Sequence, residues 1–208
     1  RAPDYFVLDI PRDQVDEFET LVRNADPGAS WRTVPALRGS VLAFGSEGAM
    51  TRTADLDEIP DGAWALRGER GLTYADRLPE GNELTEGTWW GPMYAGEPLV
   101  SVDEDFADAA GLKVGDMLTF GVLGVERTAR IANLRRIDWE SMGFNYVFVL
   151  SPNALQDAPH NLAATVELSR DTPTGPLLQS LVAALPSTSV IEVGGVLEQA
   201  RTILEQVG

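Results

Sequence analysis

The segment GLKVGDMLTFGVLGVERTARIANL, residues 111–134, gathers the chain's single lysine, an aspartate and several glycines into a short span. A phosphate-cradling loop needs its lysine after the second glycine, with a serine or threonine hydroxyl next to it for the metal. Here Lys113 precedes Gly115 and no hydroxyl residue follows it directly, so the phosphate chemistry fails. A structural reading accounts for the same residues: a short helix ends in AAG with Gly111 as its cap, Gly115 takes a positive-φ turn position, and Asp116 bonds local backbone. VLG then turns a hairpin into VERTARIANL, whose apolar residues Val125, Ala129, Ile131 and Leu134 are only loosely periodic.

Other reactive residue types are sparse. His160 is the only histidine, so any histidine triad or zinc site would have to use it; it follows Pro159, where a turn residue is expected. No G-x-S-x-G elbow occurs, and FGSEG (44–48) places Ser46 one position out of register. DLDEIPDG (55–62) begins like a calcium loop, but Ile59 stands at the third ligand position and Leu66 at the twelfth. Asp103, Glu104 and Asp105 open a predicted helix, where capping and the helix dipole favour negative charge without any metal. Paired catalytic carboxylates are set by distance in space, and with 32 acidic residues chance neighbours are common. The sequence names no catalytic, cofactor-binding or metal-ligating residue.

The aromatic residues stand out more. TWWGPMY (88–94) and IDWESMGFNYVF (137–148) carry three of the five tryptophans and two of the four methionines among glycine and proline. Loop tryptophans close small β-rich cores; the same residue types also build partner- or cargo-facing patches. Trp89, Trp90, Met93, Trp139, Met142 and Phe144 are therefore the candidate partner or cargo surface.

These residues need a scaffold, and 208 residues at 44% hydrophobic suffice for a large domain or two small ones. Thirty-two acids against sixteen cations give a net charge of -16, a field that repels nucleic-acid backbones and anionic membrane surfaces. Cysteine is absent, which removes disulfides and thiolate chemistry. No apolar run of about eighteen residues is present. YFVLDI (5–10) predicts a strand and PRDQVDEFETLVRNA an amphipathic helix with Val15, Phe18 and Val22 in line; WRTVPALRGSVLAFG (31–45) is extended again. NLAATVELS (161–169), TPTGPLLQSLVAAL and SVIEV (189–193) repeat the plan, with Leu178, Leu181, Val182 and Leu185 on one helical face. Residues 49–159 between them predict four or more strands and one short helix near 103–110. The division expected is 1–48 and 160–208 as the halves of a discontinuous domain, with 49–159 inserted. GVLEQARTILEQVG at the end reads as a helix with Val196, Ala200, Ile203 and Val207 on one stripe.

DYFVLDIPRDQVDEFETLV, VPALRGSVLAF, GLTYADRLPEGNELTEGTWW, EPLVSVDEDFADAAGLKVGDMLTF and ARIANLRRIDWESMGFNYVFVLSP together resemble the large extracytoplasmic domain of MacB/FtsX-type ABC-transporter permeases, in the YbbP-like branch. LVSVDEDFADAAGLKVGDMLTF followed by a hairpin is the most specific part. The resemblance implies an α+β fold: a discontinuous porter-like subdomain of two βα(β) units with an inserted β-rich sabre-like subdomain. It also implies flanking transmembrane helices, a start at Arg1 that is not the parent's own, and a place on the periplasmic side of the inner membrane. ATP would be hydrolysed by a separate cytoplasmic ABC ATPase subunit, so this domain would need no cofactor and the final helix would act as a lever. Implied partners are a second permease copy and a periplasmic esterase, lipoprotein or hydrophobic cargo, with no nucleic acid. Two other readings stay open on the residues alone: a stand-alone secreted binding or scaffold domain, and a carboxylate-dependent hydrolase.

Overall fold

The computed structural model describes residues 2–140 and 143–194. The predicted helix over 196–207 lies outside them. The chain divides into two compact units, residues 1–35, 141–144 and 160–208 in the first, and 36–140 and 145–159 in the second. The first border falls within β2 (Ser30–Ser46), one long strand whose far part pairs only with elements of the second unit.

In the first unit β1 (Tyr5–Ile10) lies antiparallel between β10 (Asn161–Glu167) and β11 (Ser189–Glu192). Tyr5 and Val7 point inward by strand alternation, and Asp9, with φ 61, takes up an extra residue so that Ile10 is also buried. Helices α1 (Val15–Ala25) and α4 (Gly175–Ala184) pack together. Phe18 and Val22, one turn apart, face the sheet from α1; Leu177, Leu181 and Leu185 do so around α4. The buried face of α4 is therefore rotated from the expected one: Leu178 packs at its margin and Val182 is 57% exposed. Both stripes have helical spacing in this leucine-rich run, and only the packing chooses between them.

The second unit contains β3 (Ala49–Arg52), β4 (Arg70–Tyr74), β5 (Asn82–Gly87), β6 (Leu99–Asp103), α2 (Glu104–Ala110), β7 (Met117–Val122), β8 (Val125–Ile137), β9 (Phe148–Leu150) and α3 (Pro152–Leu155). Its pairing closes on itself: β2 pairs β4, β4 pairs β9, β9 pairs β6, β6 pairs β8, β8 pairs β7, and β7 returns to β2. Such closure leaves the ring without open edges. β3 and β5 attach outside it, on β2 and β8. At the crossing of β2 and β7 a Cβ on Gly39 would stand 2.8 Å from the Gly121 carbonyl oxygen, so the close approach requires glycine. Inside, Phe148 receives Phe106 and Phe120 edge-on, at 5.1 and 5.2 Å between ring centres.

The 111–116 turn is built as the structural reading predicts. Asp103 caps α2 through Phe106 N–H, Gly111 has φ 70 and Gly115 φ 97, and the Lys113 amide donates to Asp116 Oδ2 at 3.0 Å. Leu123 and Gly124, both at positive φ, join β7 to β8. Among the described residues no helix is long and apolar enough to cross a membrane.

Candidate functional site: the aromatic loop between β5 and β6

The aromatic residues of TWWGPMY fall in the connection from β5 to β6, and a set of directional bonds fixes that loop. Gly87, the last residue of β5, has φ 76, and a Cβ there would lie 2.2 Å from the Ala132 carbonyl; only glycine lets the chain leave the β8 ladder at this point. The two indoles that follow stand 4.1 Å apart between ring centres. Trp89 Nε1 donates to the Asp76 carbonyl at 3.0 Å and Trp90 Nε1 to the Ala75 carbonyl at 2.8 Å. Trp90 is buried and Trp89 half-buried. Farther along, Tyr94 Oη donates to Glu97 O at 2.8 Å, and Asn153 Nδ2 on α3 donates to Gly96 O at 2.7 Å. Asn153 is itself held by the Ser151 hydroxyl at 2.7 Å, which also accepts the Leu99 amide at 3.0 Å.

Met93 sits at the tip of this pinned loop with φ 61 and 95% of its surface exposed. Left-handed backbone costs a non-glycine residue about 1–2 kcal/mol, and it persists where the surroundings over-determine it. Beside it opens a cavity of about 320 Å³, lined by Asp76, Gly91, Met93, Tyr94 and Ala95 on one side and Pro152, Asn153 and Gln156 on the other. The lining is largely apolar, and Asp76 is its one charged residue.

The remaining aromatic candidates lie elsewhere. β5 runs from Asn82, opposite Ile137, to Gly87, opposite Asn133, so Trp139 follows one end of this ladder and Trp89 the other, the ladder itself being roughly 17 Å long at about 3.4 Å per residue. Trp139 is 49% exposed. Phe144 packs against Phe6 at 5.4 Å in the first unit, and Met142 lies outside the described residues. Of the six, Trp89, Trp90 and Met93 share one surface element.

A polar feature that the sequence reading missed underlies the same region. Arg135 on β8 is fully buried. Its Nε donates to Ser101 Oγ at 2.6 Å, one terminal nitrogen to Asn82 Oδ1 at 2.6 Å, and the other to the carbonyls of Tyr146 and Val147, both at 2.9 Å. Ser101 Oγ donates onward to Asn133 Oδ1, and Asn133 Nδ2 reaches the Thr88 carbonyl at 3.1 Å, next to Trp89. One guanidinium thus ties β5, β6 and the segment leading into β9. Burial pulls its pKa down to about 10, opposed by the Asp103 charge, which leaves it cationic at neutral pH. Burial likewise raises the Asp103 carboxyl, opposed by its bond from Phe106 N–H, and takes Tyr146 up to about 12. The signal was present: Ala129, Ile131, Asn133, Arg135 and Ile137 share one parity along β8, and all are buried.

The other reactive groups resolve into scaffold. Asp103 spends its carboxylate on the cap of α2, Asp116 is buried and paired with Lys113 at 3.2 Å, and His160 sits immediately before β10. No group of three or more acidic or histidine side chains suited to a metal ion occurs among the described residues.

No protein-family profile matches the chain. Its fold is similar to the periplasmic region of MacB from Actinobacillus actinomycetemcomitans, with a TM-score of 0.50, 12% identity, and coverage of 95% of this chain and 92% of that one. The class of protein it resembles is the extracytoplasmic domain of an ABC-transporter permease, and its fold is α+β as that resemblance implies. In sequence it is similar to the uncharacterized ABC transporter permease YbbP of Escherichia coli (strain K12), at 27% identity over 200 residues. That match takes in 95% of this chain and 22% of the relative, so the chain spans about a fifth of the length of the curated protein it matches.

Proposed function

We propose that this chain is a noncatalytic periplasmic domain of an ABC-transporter permease of the mechanotransmission type, engaging a partner protein or amphipathic cargo while ATP is hydrolysed by a separate cytoplasmic subunit. The observation that carries this reading is the collinear similarity to a permease over 95% of the chain. The two units are taken as the porter-like body and the inserted sabre-like subdomain, and the aromatic loop as the engaging element. A second permease copy, an esterase, a lipoprotein or a hydrophobic compound are the partners this reading offers. The geometry agrees with a passive role: buried Arg135 and Asp103 are committed to internal bonds, and the exposed tip of the loop is the apolar Met93.

The test uses the parent permease with its ATPase in nanodiscs. A spin label at Asp171→Cys, on an exposed turn of the first unit and with every other cysteine of the parent permease replaced, reports distances between permease copies. Vanadate-trapped and nucleotide-free samples should give different distance distributions. Identical distributions with full ATPase activity would rule out mechanical coupling, and turnover of an ester or phosphate substrate by the purified chain would rule out the noncatalytic role.

A further inference from the structure

Knob and hole stand side by side on the second unit. Met93 projects with 95% of its surface exposed, and the cavity of about 320 Å³ opens at its base. The volume lies at the low end of ligand pockets, about 300 Å³, room for a single bulky side chain. The loop is held by both indole N–H bonds, by Tyr94 Oη on Glu97 O and by Asn153 on Gly96 O, so little ordering remains to be done on association. Among the described residues Asp76, exposed and part of the lining, forms no ion pair, and the rest of the lining carries no charge. The chain as a whole, at -16, steers cations toward it.

We infer that this surface docks a protein segment in which a large apolar side chain is flanked by lysine or arginine: the apolar group fills the cavity under Met93, Met93 packs on the segment, and the cation meets Asp76. Methionine suits the exposed position because its flexible, polarizable thioether adapts to the contour of a partner, and interface cores are enriched in it. An anionic or phosphorylated segment is repelled by the same carboxylate. The inference deepens the partner-engaging role proposed above by naming the chemistry of the partner.

The experiment pans a random heptapeptide library on the purified 208-residue chain and follows the selected peptides by the methyl resonance of Met93 in methyl-labelled protein. Selected peptides should pair a large apolar residue with an adjacent lysine or arginine, shift that methyl saturably, and lose at least tenfold in affinity to Met93→Asp. Asp76→Lys should reverse the preference toward acidic peptides; both positions are exposed, and unchanged melting of each variant confirms the fold. Selection without charge preference, peptides that leave the Met93 methyl unmoved, or no selection at all would overturn the inference. So would saturation of the methyl by octyltrimethylammonium with no peptide binding, which would make the cavity a small-amphiphile site. Because the panning needs neither ATP nor the rest of the permease, its failure is distinct from failure of the mechanical reading.

Discussion

At the scale of single residues, Arg135 is the most consequential side chain in the second unit. Its bonds go to neutral acceptors, so removing it strands buried oxygens of Ser101, Asn82, Tyr146 and Val147. Arg135→Met should cost about 3–5 kcal/mol, since several buried acceptors lose their donor at about 1–3 kcal/mol each. Arg135→Lys should recover less than half of that, since an ammonium cannot reproduce a planar fork of donors; urea melts of the three proteins decide it. The tryptophans separate by the same logic. Trp90→Ala should cost about 3–5 kcal/mol, whereas Trp139→Ala, half-exposed, should change stability by less than about 0.5 kcal/mol. Asp26 supplies a pH dependence. Its carboxylate accepts the Ser169 amide at 2.5 Å, the Gly28 amide at 2.9 Å and the Ser169 hydroxyl at 2.9 Å, and the Ser169 amide bond leads in holding its pKa below the usual 3.8. With the folded value depressed, its stabilisation is present above the unfolded pKa and is lost as pH falls through the folded one. Melting temperatures of the wild type and Asp26→Asn, measured from pH 6 to 2, should differ by a constant amount above about pH 5 and converge below pH 4.

At the scale of elements, the β7–β8 turn carries a local conflict that the packing does not resolve. Leu123 has φ 50 and Gly124 φ 81, the pattern of a turn that favours Asn-Gly, yet Leu123 is also 72% exposed. Leu123→Asn should therefore raise stability by about 1 kcal/mol, the cost of holding leucine left-handed; a lower melting midpoint would show that leucine makes a stabilising contact. Elements of this kind were the most readable part of the sequence, because a two-residue turn, a helix cap and a strand each depend on neighbours in the chain. β1, α1, α2 with its Asp103 cap, β10 and the Gly111 and Gly115 turns lie where local pattern puts them. What failed was choice between equivalent patterns: α4 offers two leucine stripes, and β8 hides an arginine among apolar residues of the same parity. The candidate site was legible only as composition. Trp89, Trp90 and Met93 share a loop because it is continuous, while the separation of Trp139 and the placing of Phe144 on Phe6 follow from pairings between distant segments.

At the scale of the whole molecule, the two hydrophobic cores share no residue. One gathers Tyr5, Phe18, Val166 and Leu181 with their neighbours, the other Leu72, Phe106, Phe120 and Phe148 with theirs. The border drawn at 48 from sequence treated β2 as the property of one domain, whereas its residues from Ala36 onward pair with β4, β7 and β3 and supply part of the ring. Cutting at 48 would remove one strand of a closed barrel and open two edges, each a row of unpaired backbone groups prone to aggregation. Cutting at 35 leaves every pairing of the ring intact. A chain of residues 36–159 should accordingly fold alone, with a single cooperative urea transition and retained near-ultraviolet signal from its packed aromatics. A chain of residues 49–159, lacking the strand, should be aggregated or show no such transition. Equal cooperativity of the two would mean that the ring does not depend on β2, and an unfolded 36–159 would mean that its core needs residues from the first unit.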